Sequence, residues 1–442
     1  ILYLFNEIKK GLQLGLVKAG DTVKGVGIDT WGVDFGLLDS QGGLLGLPYH
    51  YRDSRTDGIM DEVFAIVPRE TVFDNTGIQI MQINSLFQLY AMVKQNSPVL
   101  KNASTFLNIP DLLNYWLTGV KASEFTIATT TQCYDPRKES WALDLVQKLG
   151  IPVGLFPEII QPGTILGPLH PVIAEETNGK GLQVVASAGH DTASAVAAVP
   201  TQEKDFVYIS SGTWSLMGVE TPQPVINQKS QDLNFTNEGG VNHTIRVLKN
   251  ITGLWVVQEC RRTWVSRGEE ISYAEMTEQA KQAPAFRSFI DPDHPDFMKP
   301  GDMPDRIREY CKRTGQPIPQ TKGEIVRCAL EGLALKYRWV FERLEDLVGH
   351  RLETIHIVGG GTQNRLLNQF AADSTGRKVV TGPIEATAAG NMLVQLMALG
   401  ELSSLSEARE LIRNSFEVET YEPKDTDKWD AYYEKFVKMM NA

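Results

Sequence analysis

The segment that most constrains this chain is residues 186–199, with the sequence ASAGHDTASAVAAV. The apolar run from Gln183 to Ala188 is typical of the end of a buried strand. The small residues from Thr192 to Ala198 predict a helix against which another element packs closely. We therefore expect Asp191 in the first turn of that helix, and we place the chemistry of the protein there.

Asp191 admits two interpretations from its local sequence. As an N-cap, it would accept a hydrogen bond from the backbone N–H of Ser194 or its neighbour, since Asp is among the preferred capping residues. As a functional group, it would stand at the mouth of a cleft and accept a proton from a substrate hydroxyl as that hydroxyl attacks. The surrounding chain has to decide between the two.

Composition limits the classes of protein and partner. A chain of 442 residues is too long for one ordinary core, so two large domains are expected. Its 42% hydrophobic and 22% charged residues are typical of a well-packed soluble protein. A net charge of −11 argues against nucleic acid or an anionic membrane as the main partner. No apolar run approaches the length of a membrane span, and no signal peptide opens the chain.

The cysteines form neither a CxxC pair nor a metal-ligand spacing with histidine. The four of them are Cys133, Cys260, Cys311 and Cys328. We interpret them as reduced thiols of a cytoplasmic protein.

The first half of the chain predicts a mixture of helices and strands. Ile1 already lies within an amphipathic helical pattern that continues to Leu16, so we expect the true beginning of the protein to be missing. A strand, a turn and a second strand are predicted over 23–38, with Trp31 and Gly32 in the turn. An interrupted helix is predicted over 60–97, and a helix over 107–118 with Pro110 in its first turn and Gly119 past its end. A strand or polar loop is then expected over 128–133, and irregular surface chain over 152–171.

Two polar clusters in this half allow both a structural and a binding interpretation. Asp29 and Asp34 are either ligands of a sugar or polar residues at strand ends, and the local sequence favours the second. The run YRDSRTDG at 51–58 is usually a solvated turn. It is also dense in hydrogen-bonding groups, as a wall that binds a polyol has to be.

Two glycine-containing turns mark the second half, which begins where PTQEKD at 200–205 breaks the apolar pattern. Strand, small-residue turn and strand are predicted over 206–220, where the N–H groups and hydroxyls of Ser210–Thr213 could wrap a phosphate. A strand from Thr354 ends in Gly359–Gly361 before a helix that begins near Asn364. This second pattern brings backbone close to a flat ligand, or is a glycine-rich turn without one.

Other elements of the second half follow from periodicity alone. Helices are predicted over 273–282 and 322–346, and a strand, turn and small-residue helix over 379–391. The segment 247–258 also belongs to the second half, and a charged helical tail is predicted from residue 406.

Several motifs then carry a family resemblance. HDTASAV, SSGTWS, LKNITGLW, HIVGGGTQN and GPIEATAAGN occur in this order and at these separations. Together they resemble the FGGY family of carbohydrate kinases over almost the whole chain. Within that family, GIDTWGVDF, YRDSRT, TNEGG at 236–240 and RVLKN at 246–250 resemble in particular the kinases that act on L-rhamnulose, which implies this ketose as the sugar. One such motif arises easily by chance, whereas so many in one order are specific.

The resemblance implies an α/β fold of two actin-like, ribonuclease H-like domains with a catalytic cleft between them. Residues 1–200 would form the N-terminal sugar-binding domain and residues 201–442 the C-terminal nucleotide-binding domain. Matched motif by motif, Asp191 corresponds to the catalytic base. The sugar-binding positions are Gly32, His190, Asp191 and Thr192, and the ATP-binding positions are Thr213, Asn250, Gln258 and Gly360.

The implied reaction is phosphoryl transfer from ATP to a sugar hydroxyl, with Asp191 accepting the proton. Mg²⁺ would be held largely by the ATP phosphates and by water, so no metal ligand is assigned in this chain. The family's Asp-x-Gly phosphate motif lies on a first strand, which we expect to precede Ile1. Asp29-Thr30-Trp31-Gly32 only imitates that motif.

Two alternatives remain open at this point. The sugar could be another ketose, such as fuculose or xylulose, because a few contacts distinguish hydroxyl configurations. The chain could also be a nucleotide- or sugar-binding relative without turnover, which only the missing phosphate motif supports.

Overall fold

The computed structural model describes residues 2–19 and 23–440. The chain forms two compact units, each assembled from three segments. The first unit comprises the chain up to Ala198, Glu220–Val247 and Thr387–Leu411. The second unit comprises Val199–Val219, Leu248–Ala386 and the chain from Ile412 onward. No helix in the described residues combines the length and the apolar composition that crossing a membrane requires.

Helices and short strands make up the chain as far as residues 187–191, the candidate catalytic loop, and the helix that follows. They are α1 (Leu2–Ala19), β1 (Gly25–Gly27), β2 (Phe35–Leu38), α2 (Ile59–Ile66), α3 (Arg69–Thr76), α4 (Ser85–Lys94), α5 (Pro98–Asn102), β3 (Thr105–Asn108), α6 (Ile109–Thr118), β4 (Ser123–Glu124), α7 (Phe125–Thr129), β5 (Tyr134–Asp135), β6 (Ser140–Trp141), α8 (Leu143–Lys148), β7 (Ile159–Ile160), β8 (Thr164–Pro168), α9 (Pro171–Thr177), β9 (Gln183–Ala186) and α10 (Asp191–Ala197).

Longer strands and helices follow. They are β10 (Val207–Ser211), β11 (Trp214–Thr221), α11 (Gln228–Asp232), β12 (Thr236–Gly239), β13 (Ile245–Thr252), α12 (Trp255–Ser266), α13 (Tyr273–Gln282), α14 (Met303–Arg313), α15 (Lys322–Val348), β14 (Thr354–Val358), α16 (Arg365–Thr375), β15 (Lys378–Thr381), α17 (Ala386–Ala398), α18 (Leu405–Ser415), β16 (Thr420–Tyr421) and α19 (Thr426–Met440). The division between the units falls inside β11 and β13.

A three-stranded sheet in the first unit leads into the candidate catalytic loop. Its middle strand, β9, runs parallel to β1, with Val184 opposite Val26, and antiparallel to β8. Val184 and Val185 point to opposite faces of the sheet, and both are fully buried. Both faces of β9 are therefore covered, and Leu113 and Leu117 of α6 pack in the same core as Val184.

The sheet of the second unit is built around β10 and β14, which run parallel with Ile209 opposite Ile357. On one side β11 pairs antiparallel with β10, and on the other β15 pairs parallel with β14. All five residues of β14 are buried. Because β10 and β14 are parallel, the turns after Ser211 and Val358 both lie at the carboxyl ends of these strands, on the same side of the sheet.

Most elements predicted in the first half are confirmed. Helix α1 covers the predicted helix up to Leu16, with Ile1 outside the described residues, and α2, α3 and α4 form the interrupted helix. Helix α6 has Pro110 in its first turn and ends at Gly119 in a left-handed conformation. Strands β1 and β2 flank the turn with Trp31 and Gly32, yet they pair with β9 and β3 rather than with each other.

Two predictions in this half are wrong in part. Residues 128–129 belong to helix α7 rather than to a strand or loop, because the Glu124 side chain accepts from the N–H groups of Thr126 and Ile127 and begins a helix there. In the segment 152–171, residues 159–160 form β7 and residues 164–168 form β8, whose pairing with β9 shifts register between Ile165 and Gly167. Pro168 is tolerated because β8 is an edge strand and Pro168 is its last residue.

The predictions for the second half are confirmed at the level of elements. The strand, turn and strand over 206–220 are β10 and β11, helix α13 spans the predicted 273–282, and α15 covers 322–346. The glycine run follows β14, and α16 begins after Asn364, whose side chain caps it. The division of the chain into 1–200 and 201–442 stays a prediction.

Candidate functional site

Asp191 is the first residue of α10, directly after the loop that follows β9. The N-cap residue is His190, which makes no side-chain capping bond. The N–H of Ser194 donates to the His190 carbonyl (3.2 Å). The Asp191 carboxylate instead accepts from the Thr192 hydroxyl (3.2 Å) and remains 44% exposed. The capping interpretation of Asp191 is therefore wrong, and its carboxylate is open to a ligand.

The loop that carries Gly32 is hydrogen-bonded to the loop that carries Asp191. The N–H of Thr30 donates to the Gly189 carbonyl (2.9 Å), and the N–H of Asp191 donates to the Thr30 carbonyl (2.9 Å). A Cβ on Gly32 would lie 3.1 Å from the Thr130 hydroxyl oxygen. The absence of a side chain at Gly32 thus lets the turn pack closely on Thr130.

A cavity of about 660 Å³ opens beside Asp191 in the first unit. Its polar lining residues include Asp29, Thr30 and Thr387, and much of the rest is apolar, including Leu113 and residues of α1. The Thr387 hydroxyl donates to the Asp191 carbonyl (3.3 Å). The two carboxylates, Asp29 and Asp191, therefore line one cavity.

Asp29 is the one of these two carboxylates whose pKa is raised by burial. Burial raises its pKa to about 6, against a hydrogen bond that the Asn391 amide donates to Asp29 Oδ2 (2.6 Å). The negative charge of Asp191 raises the Asp29 pKa further. Asp29 thus takes up a proton much more readily than an ordinary aspartate, while Asp191 stays exposed to the cavity.

A buried carboxylate holds the backbone of the candidate catalytic loop. Glu124 Oε2 accepts from the N–H of Gly189 (2.9 Å), and the Thr126 hydroxyl accepts from the N–H of His190 (3.1 Å). Burial raises the pKa of Glu124 to about 7 in spite of these bonds. Sequence analysis missed Glu124, because nothing in the local pattern shows which distant N–H groups donate hydrogen bonds to its carboxylate.

His190 is buried against a charged pair that also went unassigned. Its Nδ1 lies 3.0 Å from Arg246 Nη2 and 3.3 Å from Glu238 Oε2. Its Nε2 lies 3.5 Å from Asp191 Oδ1. The sequence did contain a signal that could have identified this pair, because Glu238 and Arg246 lie within the TNEGG and RVLKN motifs. His190, Asp191 and Thr192 are thus adjacent, and the Gly32 turn is joined to them through Thr30.

Two of the ATP-binding candidates in the second unit lie together. The Thr213 hydroxyl, exposed at the turn between β10 and β11, donates to Gln258 Oε1 (3.1 Å). The N–H groups of Leu254 and Trp255 donate to the carbonyls of Gly212 and Thr213 (both 3.1 Å). The first turn of α12 therefore fixes the loop that presents Thr213.

The glycine run after β14 packs against β10 in the same unit. A Cβ on Gly361 would lie 2.0 Å from Ser211 Oγ, and one on Gly359 would lie 2.9 Å from the Ser211 carbonyl oxygen. Gly359 also has φ 89°, which favours glycine. A Cβ on Gly360 would meet nothing within 4 Å. Gly360 is therefore exposed backbone with open space in front of it.

The remaining candidates are less closely grouped. Asn250 is half-buried on β13. In the described residues, no group of three or more His, Cys, Asp or Glu side chains is placed to hold a metal ion.

The chain is similar to known proteins in sequence and in fold. Models of the N-terminal and C-terminal domains of the FGGY family of carbohydrate kinases match residues 8–198 and 207–399. The protein named rhamnulokinase in Bacteroides thetaiotaomicron is 45% identical over 436 residues, covering 99% of this chain and 89% of the relative. The rhamnulokinase of Halalkalibacterium halodurans is 45% identical over 424 residues, covering 96% and 89%.

Solved structures show the same fold at low identity. A ligand-bound xylulose kinase from Lactobacillus acidophilus has a TM-score of 0.81 and 17% identity, with 99% of this chain and 87% of that chain covered. Glycerol kinase from Plasmodium falciparum with ADP has a TM-score of 0.78 and 18% identity, with coverage of 99% and 87%. The α/β fold with two actin-like domains is thereby confirmed. The chain belongs to the FGGY family of carbohydrate kinases.

Proposed function

We propose that this protein is an ATP-dependent rhamnulokinase, which converts L-rhamnulose to L-rhamnulose 1-phosphate in rhamnose catabolism. The observation that carries the proposal is Asp191, a half-exposed carboxylate at the start of α10 that makes no capping bond. The names and 45% identities of the two relatives support L-rhamnulose as the sugar.

In the proposed mechanism, Asp191 takes the proton of the primary hydroxyl of the sugar. As the O–H bond breaks, the hydroxyl oxygen bonds to the terminal phosphorus, the bond from that phosphorus to the bridging oxygen breaks, and ADP leaves. We assign His190, Thr192 and Gly32 to sugar binding, where they would orient the hydroxyl toward Asp191. A positioned general base contributes about 10² to 10⁴ in rate.

We assign nucleotide binding to the second unit. Thr213 presents an exposed hydroxyl, Gln258 supports it, and Gly360 offers backbone with open space in front. Asn250, on β13, is the fourth residue assigned to ATP. ATP with Mg²⁺ supplies the phosphoryl group and the charge neutralisation that its transfer needs.

A substrate panel tests the sugar. ADP release is measured with ATP and L-rhamnulose, fuculose or xylulose, and with no sugar. The proposal expects the highest kcat/KM for L-rhamnulose, with the product phosphorylated on its primary hydroxyl. A higher kcat/KM for fuculose or xylulose would reassign the substrate, and no sugar-dependent ADP release would favour the non-catalytic alternative.

We place the protein in the cytoplasm, with sugar and ATP as its small-molecule partners. All four cysteines are free and buried, as expected of a protein from a reducing compartment.

A further inference from the structure

His190 lies between an exposed carboxylate and a buried ion pair within the first unit. On one side, its Nε2 lies 3.5 Å from Asp191 Oδ1. On the other side, its Nδ1 faces Arg246 and Glu238, which come from β13 and β12. The Arg246 side chain is completely buried, and the Glu238 side chain is 6% exposed. The imidazole thus links this pair to Asp191.

The donors on Arg246 determine which nitrogen of His190 carries the proton. A guanidinium only donates hydrogen bonds. Arg246 Nε donates to the Gly239 carbonyl (2.9 Å), which fixes the orientation of the guanidinium. Arg246 Nη2 carries two hydrogens and lies 3.0 Å from His190 Nδ1 and 3.2 Å from Glu238 Oε2. One hydrogen for each acceptor satisfies both contacts, provided that Nδ1 is unprotonated.

The other tautomer would place two donors against each other. A proton on His190 Nδ1 could bond to Glu238 Oε2 at 3.3 Å, but it would also face the N–H of Arg246 at 3.0 Å. It would further leave a lone pair of Nε2 toward the Asp191 carboxylate. Both consequences are unfavourable, since buried donors and acceptors need partners of the opposite kind.

Glu238 has a separate role, as the counter-charge for Arg246. An unpaired buried guanidinium would be strongly destabilising, and Glu238 Oε2 lies 3.2 Å from Arg246 Nη2. The pair therefore keeps a hydrogen-bond donor in the core without leaving a net charge beside His190.

We propose that Arg246 is a positioning residue for phosphoryl transfer, which holds His190 as the neutral tautomer with its proton on Nε2. The imidazole then presents an N–H to Asp191 Oδ1 and orients the carboxylate that accepts the substrate proton. This role rests on the proposed function of Asp191 as the base. Arg246 itself touches neither the base nor the cavity, so it acts through His190.

The first test is the tautomer of the unmodified protein, read from the ¹⁵N shifts of the histidine side chains at neutral pH without sugar or ATP. His190→Gln identifies the signals that belong to His190. We expect Nε2 protonated and Nδ1 unprotonated. A proton on Nδ1, or on both nitrogens, would overturn the proposal. This result does not depend on which sugar the enzyme phosphorylates or on whether it turns over.

The second test removes the Arg246 donor without leaving a buried charge. Arg246→Met combined with Glu238→Gln is compared with the wild type. Relative to the wild type, we expect kcat to fall by about 10- to 100-fold, as when the partner behind a metal-bound histidine is lost. The KM for ATP should not change, and the proton should move to Nδ1, where the Gln side chain can accept it.

Another buried arginine–glutamate pair in the same unit gives a matched control. Arg409 Nη2 lies 2.6 Å from Glu220 Oε2, with the two side chains 11% and 9% exposed. Arg409→Met with Glu220→Gln should lower the melting temperature without changing kcat or the His190 tautomer. Equal losses of kcat in both pairs, or an unchanged tautomer in the Arg246 variant, would contradict the proposal. A wild-type protein that phosphorylates no ketose would contradict the proposed function and leave the tautomer result standing.

Discussion

The candidate catalytic loop of the first unit and the glycine loop of the second are held in different ways. The loop around His190 and Asp191 is fixed by polar groups from distant parts of the chain, such as Glu124 and Arg246. The loop at Gly359–Gly361 packs closely on Ser211, where a side chain on Gly359 or Gly361 would not fit, and the N–H of Gly359 donates to the nearby carbonyl of Pro383 (2.9 Å). Under the proposed function, the first loop has to orient a carboxylate and depends on distant side chains, whereas the second has to admit a ligand and depends on the absence of side chains.

The largest expected effect comes from removing the negative charge of Asp191 in the candidate catalytic loop. Asp191→Asn keeps the shape of the side chain but cannot accept the substrate proton. We expect kcat to fall by about 10² to 10⁴ with little change in the KM for ATP. The melting temperature should hardly change, because Asp191 is not a cap. Steady-state kinetics measure kcat and the KM for ATP, and thermal unfolding measures the melting temperature. Retention of normal kcat would show that Asp191 is not the base.

A smaller effect on the same loop is expected from Glu124→Gln. An amide cannot receive all the N–H and O–H donors that Glu124 receives, so the backbone of Gly189 loses orientation. We expect kcat to fall by about tenfold, which corresponds to about 1.4 kcal/mol of transition-state stabilisation. An unchanged kcat would show that the loop is held without Glu124.

The pH dependence of stability checks the state of Glu124. Its folded pKa of about 7 lies above its usual value of 4.5, so the folded protein binds more protons than the unfolded chain between these values. Stability contributed by this group is therefore present at low pH and lost as pH rises from about 4.5 to about 7. Denaturant unfolding across this range should show less of this loss in Glu124→Gln than in the wild type.

The glycine loop is tested by two neighbouring substitutions. Gly360→Val should raise the KM for ATP by roughly tenfold, because a Cβ there points into open space and intrudes on a ligand rather than on the protein. The KM for the sugar and the melting temperature should change little. An equal rise of both KM values would count against Gly360 as an ATP contact.

Gly361→Ala is the matched control within the same loop. Its Cβ would lie 2.0 Å from Ser211 Oγ, so this smaller substitution should destabilise the protein by about 1–3 kcal/mol. A protein destabilised more by Gly360→Val than by Gly361→Ala would contradict this account of the glycine loop.

The smallest effect is expected at Asp29. Asp29→Asn removes the charge beside Asp191 but keeps a polar side chain next to Asn391. Because the folded pKa of about 6 lies above the usual 3.8, stability contributed by Asp29 is lost as pH rises from about 4 to about 6. The variant should therefore be less sensitive to pH in this range by unfolding measurements. An unaltered profile would mean that Asp29 is not protonated in the folded protein.

Local pattern was sufficient where neighbours in sequence decide the structure. Helix α6 has the predicted proline at its start and glycine after its end, because capping depends on a few adjacent residues. The prediction for 128–133 is wrong at residues 128–129 for the converse reason, since the carboxylate of Glu124 begins α7 ahead of this segment. Threonine propensity alone carries no information about such a bond.

The sequence by itself determined the strand, loop and helix around Asp191, the glycine turn after β14 and, through the order of its motifs, the family. These features are written in consecutive residues. Only the tertiary structure decided that Asp191 does not cap its helix, that Glu124 accepts from the N–H of Gly189, and that His190 faces Arg246. The physical reason is that each of these depends on a hydrogen bond between partners distant in sequence, or on the lack of one. Arg246 and His190 are 56 residues apart, and no local periodicity encodes their distance of 3.0 Å.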